Sequence, residues 1–180
     1  MGTIIFILGG ARSGKSTYAV STAKKLNKDV AFVATCQPLD NEMKQRIEKH
    51  KKSRPLSWKT YEEPRELPQL IEKIAKKHKV IIIDCLTIFI SNLLLSSKSE
   101  KRIYGSINKV LDMAGSCKST LIIVSNEVGL GIVPENKMAR RFRDIAGNVN
   151  KIVAKRADQV FLMTAGIPVN IKKGKKDDQN

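Results

Sequence analysis

The residues whose types and spacing most directly specify chemistry are Gly9-Gly10-Ala11-Arg12-Ser13-Gly14-Lys15-Ser16. They satisfy G-x-x-x-x-G-K-[ST] and lie between an apolar run, Thr3 to Leu8, and a stretch of good helix formers, Lys15 to Leu26. Glycines let the backbone fold tightly enough for successive N–H groups to point into one concavity, and the positive end of the following helix reinforces anion binding. Lys15 then supplies a point charge between outer phosphates, and Ser16 offers a hydroxyl to Mg²⁺. The chemistry implied is the binding of a triphosphate. The plain alternative is a glycine turn that happens to precede Lys-Ser, and it leaves the register of strand, loop and helix unexplained.

A metal-bound triphosphate usually takes a second, acidic contact at the end of a neighbouring strand. Val80-Ile81-Ile82-Ile83-Asp84 reads as such a strand, so Asp84 is the candidate for the metal shell or its water, alongside Ser16. Asp84 reads equally as a cap for a helix starting near Leu86, and the two roles can coexist. Glu127, after the run Leu121 to Val124, is a weaker candidate of the same kind.

Of two histidines, His78 closes a lysine-rich helix and reads as solvated, with no role. His50 differs. Asp40 can cap a helix from about Asn41 to Lys52 in which Met43, Ile47 and His50 share a face, which turns His50 toward the protein if that face packs. Arg46, Lys49, Lys51, Lys52 and Arg54 surround it with positive charge, which disfavours imidazolium. A neutral imidazole can attack phosphorus, and the same cations can hold the anionic oxygens of a nucleotide. On composition alone, a surface histidine on a basic helix is the favoured reading.

The elements that must position these residues follow from the pattern. Thr3 to Leu8 is a continuous β-branched and aromatic run stopped by glycines, as in a strand buried on both faces. Val30 to Ala34, Val80 to Ile83, Leu121 to Val124 and Val160 to Met163 recur with helical patterns between them, which implies right-handed βαβ units. The predicted fold is α/β, a mostly parallel sheet with helices on both faces. Glu66 to Lys77 and Asn136 to Arg156 carry apolar stripes and read as covering helices, and Gly166-Ile167-Pro168 turns the chain into a last strand, Val169 to Ile171. Residues 1–172 read as one nucleotide-binding domain, and the polar, basic stretch 173–180 as a disordered tail.

Composition narrows the function classes. The chain has 180 residues, 42% of them hydrophobic, which suits one core. The longest apolar stretch, Cys85 to Leu95, is interrupted by Thr87, Ser91 and Asn92 and falls short of the roughly 20 residues of a membrane span. The first residues have no basic start and no cleavage pattern of a signal peptide. Three cysteines, Cys36, Cys85 and Cys117, without a C-x-x-C pair indicate neither disulfides nor zinc and suit a reducing cytoplasm. The net charge of +16 raises the question of nucleic acid, but aromatics are only 5% and are not interleaved with the basic runs. Lysine-rich helix faces and triphosphate binding account for the excess.

A longer string of residues carries a resemblance. It comprises Gly9 to Ser16, Ala34-Thr35-Cys36, Glu42-Met43-x-x-Arg46-Ile47-x-x-His50-Lys51-x-x-Arg54-Pro55-x-x-Trp58, and Thr60-x-Glu62-Glu63-Pro64. It continues through Asp84-Cys85-Leu86-Thr87, Asn92-Leu93-Leu94, Ser125 to Pro134, Ala139 to Asn150 and Gly166-Ile167-Pro168. In that order these closely resemble the bifunctional adenosylcobinamide kinase / adenosylcobinamide-phosphate guanylyltransferases of cobalamin biosynthesis. The resemblance implies a RecA-like P-loop fold and an enzyme that phosphorylates adenosylcobinamide with ATP or GTP. It then transfers GMP from GTP to the new phosphate through a guanylyl-histidine, the position held here by His50. By the same matching, Gly9, Gly10, Ala11, Arg12, Ser13, Gly14, Lys15, Ser16, Ala34, Thr35, Cys36, Lys51, Lys52, Ser53, Arg54, Glu62 and Asp84 would contact the nucleotide. Oligomers, trimers by expectation, are implied as well.

Glu62 and Glu63 both remain open as groups that orient the imidazole or bind ribose. Phe89 stands near where many relatives carry tryptophan, and Lys49 where some carry a second histidine, which leaves His50 alone to serve. The tail and the strong positive charge also depart from the pattern. Val128 to Pro134 reads either as a loop over the corrinoid or as a plain turn. Two other functions compete: a small-molecule P-loop kinase with no covalent histidine, and a basic ATPase that binds nucleic acid.

Overall fold

The computed structural model describes residues 2–38, 41–52, 54–96 and 99–172; within 41–52 the side chains at 42, 43, 46, 49, 50 and 52 lie outside the description. The elements in order are β1 (Thr3–Gly9), α1 (Lys15–Leu26), β2 (Val30–Ala34), α2 (Asn41–Lys52), β3 (Lys59–Glu62), α3 (Leu67–Ile74) and β4 (Val80–Asp84). They continue with α4 (Leu86–Leu95), α5 (Glu100–Ser116), β5 (Thr120–Asn126), α6 (Lys137–Arg156), β6 (Gln159–Thr164) and β7 (Ile167–Lys172). The sheet order is β3-β2-β4-β5-β1-β6-β7, and every pairing is parallel except β6 with β7.

Alternation along the buried strands assigns the two faces. Ile4, Phe6, Ile81, Ile83, Leu121 and Ile123 point into a core shared with Leu67 and Ile71 of α3, Phe89 of α4, Ile103 of α5 and Val149 of α6. Ile5, Ile7, Ile82, Ile122 and Val124 point the other way, against Ala19 and Ala23 of α1 and Trp58. Helices do cover both faces. Each fully buried isoleucine of the central strands, Ile81 and Ile82 among them, removes enough apolar surface to contribute about 1.5–3 kcal/mol.

Several expectations change in detail. Lys59–Glu62 forms a strand that no apolar run announces: it is an edge strand, exposed but for Tyr61 at partial burial, and only its ladder with β2 marks it. α3 ends at Ile74, a turn before Lys77, where Lys77 and His78 N–H groups both donate to the Ile74 carbonyl. β7 is longer than predicted and returns antiparallel through Ala165 (φ 49) and Gly166 (φ 84). His78 is not solvated. Its Nδ1 lies 2.7 Å from Asp29 Oδ1 and its Nε2 lies 3.1 Å from the Tyr61 hydroxyl, because the turn into β4 meets the start of β2 there. Asp40, read as a helix cap, and the tail 173–180 lie outside the described residues.

Candidate functional site

The loop between β1 and α1 depends on two glycine conformations. Gly9 has φ +153, and a β-carbon there would stand 2.5 Å from the Met163 carbonyl oxygen; Gly14, which caps α1, has φ +91. Between them Gly10, Ala11 and Arg12 are exposed, with Arg12 itself left-handed at φ 56. The β6–β7 turn braces the loop from behind, Gly166 N–H donating to the Ser13 carbonyl at 3.1 Å. Lys15 is only 7% exposed, and its Nζ donates to the Gly10 carbonyl at 2.5 Å and lies 3.5 Å from Ser13 Oγ. Burial pushes its pKa down, and the nearby Cys85 and Asp84 oppose that shift. Lys15 is thus a cation largely withdrawn from water within the glycine loop.

Beside the loop, the carboxyl ends of three strands line up, Glu62 against Ala34 and Ala34 against Asp84. Asp84, Ser16 and Arg54 line one cavity of about 260 Å³ with Thr17, Ser21 and Lys24 of α1 and Phe32 of β2. Cys85, not Asp84, takes the N-cap position of α4, so the capping reading of Asp84 is set aside. Arg54 sits over Phe32, its guanidinium carbon 3.4 Å from the ring centroid. Its Nη1 is buried without a hydrogen-bond partner, and burial pulls its pKa down against the pull of Asp84 and Glu62. Arginine does not give up its proton. The consequence is a desolvated cation facing a cavity that also holds a carboxylate and the loop hydroxyl.

The other expected residues divide. Thr35 is fully buried, and its hydroxyl donates to the Cys85 carbonyl at 2.8 Å and accepts from Cys85 N–H at 2.9 Å, so that it fastens β2 to β4. Asn92 of α4 clamps the same corner, donating to the carbonyls of Thr35 and Pro64 at 2.8 and 3.1 Å. Ala34 is buried at the strand end and Cys36 is half-buried just beyond it. Lys51 pairs with Glu62 at 2.6 Å, both about half exposed, and this brings the last turn of α2 to the carboxyl edge of the sheet. His50 lies one residue earlier on that turn; its side chain, that of Lys52, and Ser53 lie outside the described residues. Glu63 instead accepts from the N–H groups of Arg65 and Glu66 at 3.0 and 2.8 Å and shapes the entry to α3.

On the other side of the loop, Glu127 N–H donates to the Gly9 carbonyl at 3.0 Å. Its Oε1 accepts from Gly129 N–H at 2.9 Å, and its Oε2 lies 3.5 Å from Asn150 Nδ2. A buried polar chain supports this end of β5: Ser125 donates to Asn150 Oδ1 at 2.7 Å, and Thr87 Oγ1 accepts from Asn126 N–H at 2.6 Å. The following loop leaves Leu130, Ile132 and Val133 at 83, 95 and 63% exposure. A larger cleft, about 540 Å³, lies at the opposite end of the sheet among Lys76, Lys77, Lys79 and Lys118 and has no part of the glycine loop.

Sequence reasoning missed Phe32, Thr17, Ser21 and Lys24. The last three were legible as polar residues at i, i+4 and i+7 on the helix that follows the loop. Phe32 was hidden inside a strand.

A family model described as cobinamide kinase / cobinamide phosphate guanyltransferase matches residues 5–171. The chain is 38% identical to the bifunctional adenosylcobalamin biosynthesis protein CobU of Escherichia coli, covering 94% of this chain and 99% of that one. It is 40% identical to CobU of Salmonella typhimurium over the same shares, and 39% identical to CobP of Pseudomonas aeruginosa over 92% and 95%. Among solved structures it is similar to a KaiC-like protein of Pyrococcus horikoshii and to the RadB recombinase. Both give a TM-score of 0.55, at 15% and 14% identity, covering 89% of this chain and 70% and 74% of theirs. These two show the fold, RecA-like α/β, and nothing more. Among the described residues no helix is long and apolar enough to cross a membrane.

Proposed function

The chain belongs to the cobinamide kinase / cobinamide phosphate guanyltransferase family and is an enzyme of cobalamin biosynthesis with both activities, and we propose that its guanylyl transfer runs through a covalent adduct on His50. The observation that carries this reading is the Lys51–Glu62 pair, which ties the His50 turn of α2 to the strand edge bearing Asp84. In the first step the imidazole nitrogen bonds to the α-phosphorus of GTP, and the bond to the bridging oxygen breaks, releasing pyrophosphate. In the second, an oxygen of adenosylcobinamide phosphate attacks the same phosphorus and the P–N bond breaks. One hard exchange becomes two in-line displacements.

The residues divide the work by charge and position. Lys15 and the N–H groups of Gly9 to Ser16 hold the outer phosphates. Arg54, oriented by Phe32 and lacking a partner at Nη1, takes an anionic oxygen of the nucleotide. Lys51, Lys52 and Ser53 are assigned to the same nucleotide. Ser16 and Asp84 line the same cavity and would hold an Mg²⁺ there. When bound, that ion neutralises charge on the phosphates. The corrinoid, broad and largely apolar, is assigned to the exposed loop around Leu130 and Ile132. The assembly is assigned as a homo-oligomer.

The test compares two variants on both net reactions. His50→Ala is expected to keep phosphorylation of adenosylcobinamide and to lose guanylyl transfer, whereas Lys15→Ala lowers both. Guanylyl transfer at the wild-type rate in His50→Ala rules the covalent route out and leaves His50 as a binding residue of a kinase.

A further inference from the structure

We infer that Glu127 is the general base of the phosphorylation step. The inference rests on the glycine loop being the site of the phosphate donor. The two reactions of this enzyme differ in what the acceptor must lose. Cobinamide offers an alcohol, whose proton has to leave as its oxygen bonds to phosphorus. Cobinamide phosphate offers an oxygen that is already anionic, since a phosphate monoester loses its second proton near pH 6. Only the first reaction needs a base.

The structure limits the choice. Among the described acidic side chains at the carboxyl ends of the strands, Glu62 is paired with Lys51, Glu63 holds two backbone N–H groups of the turn before α3, and Asp84 shares the cavity with Ser16. Glu127 stands on the opposite flank of the loop. Its own N–H is bonded to Gly9, and Asn126 before it is in register with Gly9, which places it beside Gly10, the residue whose carbonyl receives Lys15. Its carboxylate is steadied by Gly129 N–H at 2.9 Å and by the amide of Asn150, itself 5% exposed, at 3.5 Å. A carboxylate has about four lone-pair positions, so these bonds leave room for a substrate hydroxyl. Glu127 also opens the segment that carries the exposed Leu130 and Ile132, to which the corrinoid is assigned above. The step balances: the hydroxyl proton passes to Glu127, the oxygen bonds to the γ-phosphorus, and the bridging P–O bond breaks to release nucleoside diphosphate. The proton then goes to solvent.

Glu127→Gln keeps the shape and the bond from Gly129 but not the basicity. The kinase kcat is expected to fall by about 10²–10⁴, the range for loss of general-base catalysis. GMP transfer from GTP to supplied adenosylcobinamide phosphate is expected to stay unchanged, with Glu127→Asp recovering part of the kinase rate. A kinase rate unaltered in Glu127→Gln overturns the inference. Equal loss of both reactions overturns it too, since Glu127 would then only shape the loop at Gly9. Both readouts are net conversions, independent of any adduct on His50, so failure of the covalent reading is a separate result.

Discussion

At the residue scale, the account turns on groups held short of solvent where an anion belongs. Lys15 and Arg54 both have their pKa lowered chiefly by burial; Lys15 Nζ is spent on the Gly10 carbonyl, and Arg54 Nη1 is buried without a hydrogen-bond partner. Arg54 gives the sharper test because its guanidinium packs over the Phe32 ring. Arg54→Met keeps an apolar body over Phe32 but removes the charge. A charge-assisted hydrogen bond contributes about 1.5–3 kcal/mol, so GTP affinity measured by calorimetry is expected to weaken about tenfold to a hundredfold. Unchanged affinity would remove Arg54 from the nucleotide. Thr35 has the opposite character. Its hydroxyl is spent on Cys85, where it fastens β2 to β4 at the edge of the site.

At the scale of elements, much of the site was legible because it obeys local rules. A buried parallel strand, a glycine loop and a helix N-terminus each have a pattern, and β1, Gly9 to Ser16 and α1 stand where the pattern puts them. What was not legible depends on partners distant in sequence. The exposed strand β3 exists only because β2 pairs with it, and the ion pair of Lys51 with Glu62 joins a helix and a strand that no periodicity connects. His78 was misread for the same reason, since Asp29 and Tyr61 reach it from other elements. The residues alone made His50 a candidate nucleophile but favoured a surface histidine on a basic helix, and only the resemblance tipped that balance. The loop after β5 is an element whose role rests on exposure. Replacing Leu130 and Ile132 with serine is expected to raise KM for adenosylcobinamide and to leave KM for GTP as it was, in steady-state kinetics. Equal KM values for the corrinoid would return this loop to a plain turn.

At the scale of the molecule, the charge of +16 and the P-loop invite a reading as a basic ATPase that binds nucleic acid. The family match and the site argue otherwise, and fold alone does not carry function. Oligonucleotides are expected to leave nucleotide turnover unchanged at physiological salt, where exposed charges are screened beyond about 8 Å. Stimulation by nucleic acid, with none by cobinamide, would favour the ATPase. The whole-molecule claim is that one loop serves two reactions, with the His50 turn tied to β3 on one flank and Glu127 after β5 on the other. Its most direct test is to incubate the protein with GTP labelled at the α-phosphate and to map the acid-labile label by peptide mass spectrometry under alkaline conditions. The account expects GMP on His50, discharged by adenosylcobinamide phosphate and absent from His50→Ala. No adduct in the wild type, or equal labelling of both proteins, would contradict it.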